Sequence, residues 1–267
     1  LPYWQAMDAG EEPGAIGEAG QYADAVEELI EWTAADTADL LRRAPAAYQT
    51  NAGELLLAAV ARALGEWTGE RRLQIALEGH GRDAAPGVDT SRTAGWFTAL
   101  YPWMLDLDDR PVGRRIRQIK EDLRQVPNGG AGYGMLRYLA GTPEGSHLRA
   151  RPRMAFNYLG EFRTAAAAGG FSLCHDPIAP PVSPSGPRPF ALELAAIVVE
   201  DRLRLSVTYA ASQMAAARVR ELCRILDAEL RLVVEHCTTR EVPELTPADL
   251  THKGITLDEL DELFDDD

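Results

Sequence analysis

Cysteine is scarce in this sequence, and its potential metal ligands are scattered. The three cysteines, Cys174, Cys223 and Cys237, are an odd number without the spacing of a metal site. We therefore expect reduced, buried thiols in a cytoplasmic protein. The five histidines are just as dispersed: they are His80, His147, His175, His236 and His252. The sequence predicts no metal centre.

Long apolar runs and excess positive charge are also missing. No uninterrupted apolar stretch could cross a bilayer, and no signal peptide opens the chain. The formal net charge is -14 and no basic patch is present, which disfavours nucleic acid as a partner. The 267 residues, 46% of them hydrophobic, suffice for one large core or two medium ones. We expect a globular protein that binds neither nucleic acid nor a membrane.

Apolar periodicity predicts a chain of alternating helices and strands. The predicted strands lie within residues 22–32, 73–78, 100–103, 153–159, 190–199 and 202–209. The predicted helices lie within residues 33–43, 51–64, 112–125, 132–138, 214–236 and 255–264. Pro102 marks its strand as a sheet edge or a bulge, because proline cannot donate a ladder hydrogen bond. The order of the elements predicts an α/β fold class.

The stretch LEGHGRD at residues 77–83 is the most polar strand exit. Leu73–Leu77 alternate between apolar and polar or small residues, so Glu78 points away from the leucine face at the strand's carboxyl end. Two glycines flank His80 and allow a ligand to approach the backbone closely. A carboxylate, an imidazole and the guanidinium of Arg82 thus lie together, which suits the handling of a proton. A polar turn without chemistry would have the same composition.

The two ends of the chain differ in composition from the middle. Residues 1–21 are predicted as a mobile crossover or linker, since residues 5–20 are rich in Gly, Glu and Ala. Residues 241–267 are predicted as an acidic linker followed by an amphipathic helix. The apolar residues of that helix have no obvious core to join: they are Ile255, Leu260, Leu263 and Phe264. We interpret it either as a frayed terminus or as a helix that docks on a partner.

Five segments with unusual residue choices occur in a fixed order. They are ELLLAAVARAL at 54–64, LEGHGRD at 77–83, SRTAGWFTALYP at 91–102, VPNGGAGYGMLRYL at 126–139 and FNYLGEF at 156–162. In this order and spacing they closely resemble the epimerization domains of nonribosomal peptide synthetases. The resemblance runs from about residue 22 to the end of the chain. The acidic tail resembles the docking segment that often follows such a domain.

The resemblance implies a fold and a missing half. The family belongs to the condensation-domain superfamily, whose two lobes resemble chloramphenicol acetyltransferase. It implies an α/β sandwich lobe with a mixed sheet and helices packed on one face, spanning residues 22–240. The family's HHxxxDG signature lies in the other lobe, and this sequence has no His-His pair. We expect the chain to be the carboxyl-terminal lobe, with the amino-terminal lobe of the same domain as a partner.

The resemblance also implies a reaction and its residues. The substrate would be an aminoacyl or peptidyl thioester on the phosphopantetheine arm of a peptidyl carrier protein, with no diffusible cofactor and no metal. Inverting its α-carbon requires proton removal, proton return and stabilisation of an enolate. Glu78 matches the family's acidic residue, and Tyr158 and Asn157 match its FNYLG motif. Because Asn157 and Tyr158 alternate on a strand, we expect both to face one cleft only if a bulge intervenes.

Six further residues are candidates for binding the substrate or the pantetheine arm: His80, Arg82, Trp96, Phe97, Tyr133 and Gly134. His80 could tune Glu78 or brace the loop, and Arg82 could have a structural role. Trp96 and Phe97 could line a tunnel or belong to the core. Gly132-Tyr133-Gly134 could pass close to the pantetheine arm, but the spacing of its glycines does not match a phosphate loop, so nucleotide binding is excluded.

Two other functions fit the same lobe. A condensation domain, which forms an amide bond between two carrier-bound substrates, would share the fold and the carrier proteins. A catalytically inactive lobe that only docks carrier proteins would fit the absence of the histidine motif. The motifs around Glu78, Tyr133 and Tyr158 resemble the epimerizing branch, and the acidic carboxyl-terminal helix, as the expected contact with a downstream synthetase subunit, suits a module that ends in epimerization.

Overall fold

A six-stranded mixed β-sheet organises the chain. The computed structural model describes residues 2–8, 16–82, 89–107, 109–139, 148–162, 182–250 and 254–265. The strands are β1 (Ala25–Glu31), β2 (Arg72–Gly79), β3 (Ala99–Asp106), β4 (Met154–Phe162), β5 (Leu192–Val199) and β6 (Arg202–Ala210). Their order across the sheet is β1-β6-β5-β4-β2-β3. β4 pairs in parallel with β2 and with β5, and the other neighbours are antiparallel.

The helices supply the second layer. They are α1 (Pro2–Asp8), α2 (Ala34–Ala38), α3 (Ala52–Thr68), α4 (Val112–Arg124), α5 (Ala131–Gly134), α6 (Ala216–Thr238) and α7 (Leu257–Asp265). Buried and partly exposed residues alternate along β5, because successive strand side chains point to opposite faces. The buried residues of β2, β5 and β6 form one cluster with those of α3 and α6. The predicted mixed sheet with helices on one face is therefore confirmed.

Local sequence signals set the boundaries of α3. The Asn51 side chain accepts a hydrogen bond from the backbone N–H of Glu54, and Glu54 accepts one from Asn51 in return. Gly69, with φ of 74°, ends the helix in the left-handed conformation that glycine favours. The apolar stripe predicted within 54–64 is buried. Residues outside the stripe are buried as well, because α4, α6 and the sheet all contact this helix.

The turn and edge predictions are also confirmed. β3 lies at the edge of the sheet. Pro102 is tolerated there because an edge strand has no neighbour on its outer side that needs a backbone N–H donor. β5 and β6 form the predicted hairpin, and its turn residues Glu200 and Asp201 have φ of 51° and 61°. Positive φ at both central positions matches the right-handed twist of the two strands.

The prediction of a mobile loop over residues 5–20 is wrong for the part that the structure describes. α1 extends to Asp8, and Trp4 on this helix is only 2% exposed. Its ring lies 5.9 Å from that of Tyr101 and 5.3 Å from that of Tyr133, measured between centroids. The burial of this one large aromatic residue attaches the segment to the core. The Gly- and Glu-rich composition of the segment gave no sign of this contact. Ile16 is also buried, while residues 9–15 lie outside the described residues.

The expectation that the carboxyl-terminal helix has no core to join is also wrong. Leu257 and Leu260 of α7 are buried. Upstream of α7, Lys120 of α4 donates to both carboxylate oxygens of Asp249, at 2.7 and 2.6 Å, and to the backbone carbonyl of Tyr48. Leu263 and Phe264 also belong to the predicted apolar stripe, but their side chains are not among those that the structure describes.

No helix within the described ranges has the length and apolar composition needed to span a membrane. Cys237 is buried and Cys223 partly buried, both as free thiols, as predicted. Burial raises the pKa of Cys237 to about 12 and that of Cys223 to about 11, so both remain protonated at neutral pH. Cys174 lies outside the described residues.

The ion pair between Lys120 and Asp249 yields a stability prediction. Replacing Lys120 with Met keeps the volume but leaves the Asp249 carboxylate in a largely buried position without its cation. We expect Lys120→Met to lower the free energy of unfolding by about 3 kcal/mol, measured by urea denaturation at neutral pH. Arg43→Met is the control, because Arg43 pairs with Asp39 on the surface and should change stability by less than about 0.5 kcal/mol. Equal effects of the two substitutions would contradict the prediction.

Candidate active site

Parallel pairing of β2 and β4 brings two of the predicted catalytic residues together. Leu77 is the register partner of Phe156, so the next residues, Glu78 and Asn157, lie side by side where β2 ends and β4 continues. The side-chain amide of Asn157 donates a hydrogen bond of 2.7 Å to Oε2 of Glu78. This contact fixes the orientation of the carboxylate. The prediction that Glu78 leaves the sheet on the face opposite Leu77 agrees with this placement.

A cavity of about 590 Å³ opens beside this end of β2 and the adjoining part of β4. The residues that border it include Gly53, Glu78, His80, Tyr101, Asn157 and Tyr158. Leu77 and Phe156 also border it, although their side chains alternate with those of Glu78 and Asn157.

Tyr158 borders the same cavity as Asn157. An irregularity in the pairing of β4 with β5 lies directly after it, between Tyr158 and Glu161. The Tyr158 ring packs on Gly53 at the start of α3, where an added Cβ would lie 3.3 Å from Cδ1. The start of α3 thus supports one side of the Tyr158 ring.

The electrostatics of the cavity favour proton transfer. Partial desolvation raises the pKa of the Glu78 carboxyl above its usual range, and the negative charge of Glu193 raises it further. Desolvation, followed by the charge of Glu161, raises the pKa of Tyr158, so its hydroxyl stays protonated at neutral pH and can donate a hydrogen bond. Tyr101 at the cavity wall has its pKa raised to about 12, first by burial.

His80 and Arg82 hold the loop that follows Glu78. Nδ1 of His80 accepts a hydrogen bond from the backbone N–H of Arg82, at 3.2 Å, and the ring also borders the cavity. The guanidinium of Arg82 donates to the carbonyls of Thr90, at 2.9 Å, and Thr93, at 3.1 Å. Its Cζ lies 4.5 Å above the centre of the Phe97 ring. Arg82 and Phe97 therefore form one stacked pair that fastens the loop, and neither borders the cavity.

The other sequence candidates lie away from the cavity. Trp96 is 98% exposed, so within the described residues it belongs neither to the core nor to a tunnel wall. Tyr133 is buried against Trp4, and its hydroxyl accepts a hydrogen bond of 2.7 Å from Arg137. Gly134 does not border the cavity, and a Cβ added to it would meet no described atom within 4 Å. These three residues remain candidates only for contacts outside this cavity.

Sequence reasoning missed the polar wall opposite β4. Glu54 is 2% exposed, yet it borders the cavity with both oxygens occupied. One oxygen accepts from the backbone N–H of Asn51, and the other from Arg124 at 2.5 Å. The signal was present locally, since an Asn followed three residues later by a Glu is a capping box. The partner Arg124 carried no such signal because it lies 70 residues away in sequence.

No group of three or more His, Cys, Asp or Glu side chains that could hold a metal ion occurs among the described residues. The chemistry available in the cavity is that of a carboxylate, an amide, an imidazole and a phenol. These groups can remove or return a proton and donate hydrogen bonds to a developing negative charge.

Comparison with known proteins assigns the family. The sequence model of the condensation domain matches residues 2–256. The chain belongs to the condensation domain family. Within this family it is 38% identical over 240 residues to surfactin synthase subunit 1 of Bacillus subtilis (strain 168), covering 87% of the chain and 7% of that protein. It is 36% identical over 229 residues to bacitracin synthase 3 of Bacillus licheniformis, covering 85% of the chain and 4% of that synthase.

Solved structures confirm the fold of this condensation-family chain. The epimerization domain from the third module of tyrocidine synthetase B superposes with a TM-score of 0.83 at 30% identity. The superposition covers 91% of the chain and 56% of that domain. A condensation domain that mediates chain release from the enacyloxin polyketide synthase superposes with a TM-score of 0.65 at 18% identity, over 95% of the chain and 49% of its own. The lobe has the predicted chloramphenicol-acetyltransferase-like architecture, and the chain spans less than a tenth of the surfactin and bacitracin synthases.

The close approach at Gly81 generates the first site prediction. Gly81 has φ of 66°, and an added Cβ would lie 1.7 Å from the carbonyl oxygen of Phe97. The obstacle is backbone, so Gly81→Ala should displace the loop and lower the free energy of unfolding by about 2 kcal/mol. Gly134→Ala is the control, since nothing lies within 4 Å of its Cβ position. Thermal denaturation of both variants tests this, and a Gly81→Ala variant as stable as the control would refute it.

The raised pKa of Glu78 generates a second prediction, on stability against pH. The folded state binds this proton more tightly than the unfolded state, so the carboxyl's favourable contribution is present below its ordinary value of 4.5 and is lost as the pH rises through the folded-state pKa. At neutral pH the ionised carboxylate therefore costs stability. Glu78→Gln should raise the free energy of unfolding at pH 7 by less than about 1 kcal/mol, because solvent screens the half-exposed group. The gain should vanish below about pH 4, and an unchanged gain in acid would contradict the assignment.

Proposed function

We propose that this chain is the carboxyl-terminal lobe of an epimerization domain. It would invert the α-carbon, from L to D, of an aminoacyl or peptidyl thioester carried on the phosphopantetheine arm of a peptidyl carrier protein. The observation that carries the proposal is the cavity beside the end of β2 and the middle of β4, where Asn157 orients Glu78 and Tyr158 also borders the cavity. The 30% identity to a solved epimerization domain supports it.

Glu78 is the proposed proton-transfer residue. A thioester acidifies its α-hydrogen because the resulting enolate is delocalised over the carbonyl. When the carboxylate takes this proton, it becomes the neutral acid, and the electron pair of the broken C–H bond moves into the enolate. The raised pKa makes the Glu78 carboxylate a stronger base toward the α-proton than an ordinary glutamate.

Tyr158 and Asn157 would support this exchange. The phenol of Tyr158 is protonated at neutral pH, so it can donate to the enolate oxygen or to the pantetheine arm. Asn157 keeps the carboxylate of Glu78 in one orientation through a 2.7 Å hydrogen bond. Return of a proton to the opposite face of the α-carbon needs a second acid, which the histidine motif of an amino-terminal lobe would supply.

The proposed partners follow from this chemistry. They are a peptidyl carrier protein, the amino-terminal lobe of the same domain, and a downstream synthetase subunit that receives the acidic carboxyl-terminal helix. The substrate would stay tethered to the carrier protein, so no diffusible cofactor is required. The proposed setting is the cytoplasm.

Condensation is the second candidate, because the matching family model describes condensation domains. Epimerization is the better supported activity, since the cavity holds a carboxylate that can exchange a proton, oriented by Asn157 and bordered also by Tyr158. A lobe that only docks carrier proteins is the third candidate. It is supported by the absence of a His-His pair from this sequence.

The test is exchange of the α-hydrogen in deuterated water. A carrier protein with a loaded pantetheine arm would be mixed with a longer polypeptide that adds the amino-terminal lobe, and deuterium at the α-carbon would be followed by mass spectrometry. We expect Glu78→Gln to slow exchange and D-product formation at least about 100-fold, because the general acid-base group is lost.

Glu27→Gln is the matched control, since Glu27 is an exposed carboxylate on β1 of the same sheet. It should exchange at the wild-type rate. Wild-type exchange in the Glu78→Gln variant would sink the epimerization assignment. Amide formation between two loaded carriers, without exchange, would identify the condensation alternative instead.

A further inference from the structure

The carboxyl-terminal helix α7 lies against the basic helix α4. Its nine residues are fewer than a helix needs to persist alone in water, so α7 depends on the surface it contacts. Arg114 of α4 pairs with Asp258 and, at 2.5 Å, with Asp261. Arg117, one turn further along α4, pairs with Asp261 as well. The acidic side of α7 thus meets a complementary basic face.

Apolar contacts accompany these ion pairs. Leu257 and Leu260 lie on the same side of α7 and are both buried. A cavity of about 570 Å³ remains beside Leu260, bordered by Arg117 and by residues 242–245. The apolar side of α7 therefore only partly fills the groove next to α4. We call the face of α4 that carries Arg114 and Arg117, together with this groove, the α4 receptor face.

The segment before α7 is held by different contacts. Lys120, only 1% exposed, binds Asp249 in a largely buried pair. The backbone N–H of Glu244 donates to the carbonyl of Ala47 at 2.8 Å, and that of Ala248 donates to Glu121 at 2.9 Å. These contacts involve no residue of α7, and the Lys120–Asp249 pair among them is shielded from salt because it is largely buried.

The ion pairs of α7 itself are only partly buried. The side chain of Asp258 is 81% exposed, that of Asp261 31%, that of Arg114 25% and that of Arg117 14%. Ion pairs that solvent reaches are weakened by salt. The segment up to residue 250 is thus firmly attached, whereas α7 rests on a weaker, ionic and underfilled interface.

We propose that the α4 receptor face binds acidic amphipathic helices and that α7 occupies it in cis, so that α7 must be displaced before it can bind another subunit. This extends the docking role proposed above for α7. A competing partner would need the same chemistry, namely an acidic helix face that meets two cations one helical turn apart and an apolar face that enters the groove. Tethering gives α7 an effective concentration on the order of millimolar at its own receptor face. The cis contact can therefore compete with a separate helix that binds this face with moderate affinity.

The test frees the receptor face without altering it. In the full chain, Asp258→Arg with Asp261→Arg places like charges opposite Arg114 and Arg117 and should release α7. A fluorescent peptide of residues 254–267 with the natural sequence is then titrated into this variant and into the wild-type chain. We expect binding to the variant at least about ten-fold tighter than to the wild type, because the cis helix no longer competes. Raising salt to about 0.5 M should weaken binding to the variant more than about ten-fold.

Two charge-reversal pairs complete the experiment. Arg114→Glu with Arg117→Glu should abolish peptide binding and increase hydrogen exchange of the α7 amides in the full chain. Arg220→Glu with Arg224→Glu, at exposed positions of α6, is the matched control and should leave α7 protected. Equal peptide affinity for the wild type and the released variant, undetectable binding to both, or protection of α7 that survives reversal of Arg114 and Arg117 would overturn the proposal.

None of these measurements uses a carrier-bound substrate. Failure of the receptor-face proposal would therefore leave the epimerization proposal intact. Loss of α-proton exchange, conversely, would say nothing about the position of α7.

Discussion

The parallel pairing of β2 with β4 is the constraint on which the candidate site depends. Ile75 and Leu77 are buried beside Met154 and Phe156, so the register cannot slip by one residue without turning these side chains out of the core. In a parallel pair, the residues that follow two register partners are themselves neighbours. Glu78 and Asn157 follow Leu77 and Phe156, so the carboxylate of Glu78 meets the amide of Asn157.

Close backbone approaches hold the loops around this edge. An added Cβ at Gly79 would lie 2.5 Å from the carbonyl oxygen of Gly129, and one at Gly130 would lie 1.9 Å from the Tyr101 ring. Together with Gly81 against Phe97, these contacts join three segments that are far apart in sequence. The glycines permit the segments to approach to backbone contact, which any side chain would prevent.

Helix α4 connects the site to the carboxyl-terminal segment. At its end, Arg124 binds Glu54 in the cavity wall, and in its middle Lys120 anchors Asp249. Its first turns carry Arg114 and Arg117, which hold α7. This one basic helix therefore forms ion pairs with the cavity wall, with the segment before α7 and with α7 itself. Its polar face has a structural role in addition to the role of its apolar face in the core.

The sequence by itself determined what depends on neighbouring residues. Alternation predicted β2 and the position of Glu78, the residues around Asn51 predicted the start of α3, and the motifs pointed to Asn157 and Tyr158. Only the tertiary structure decided the partners of distant charges, the exposure of Trp96, and the docking of α7. The reason is physical: periodicity and capping are local, whereas an ion pair between Arg124 and Glu54 or Arg114 and Asp261 exists only once the whole chain has folded.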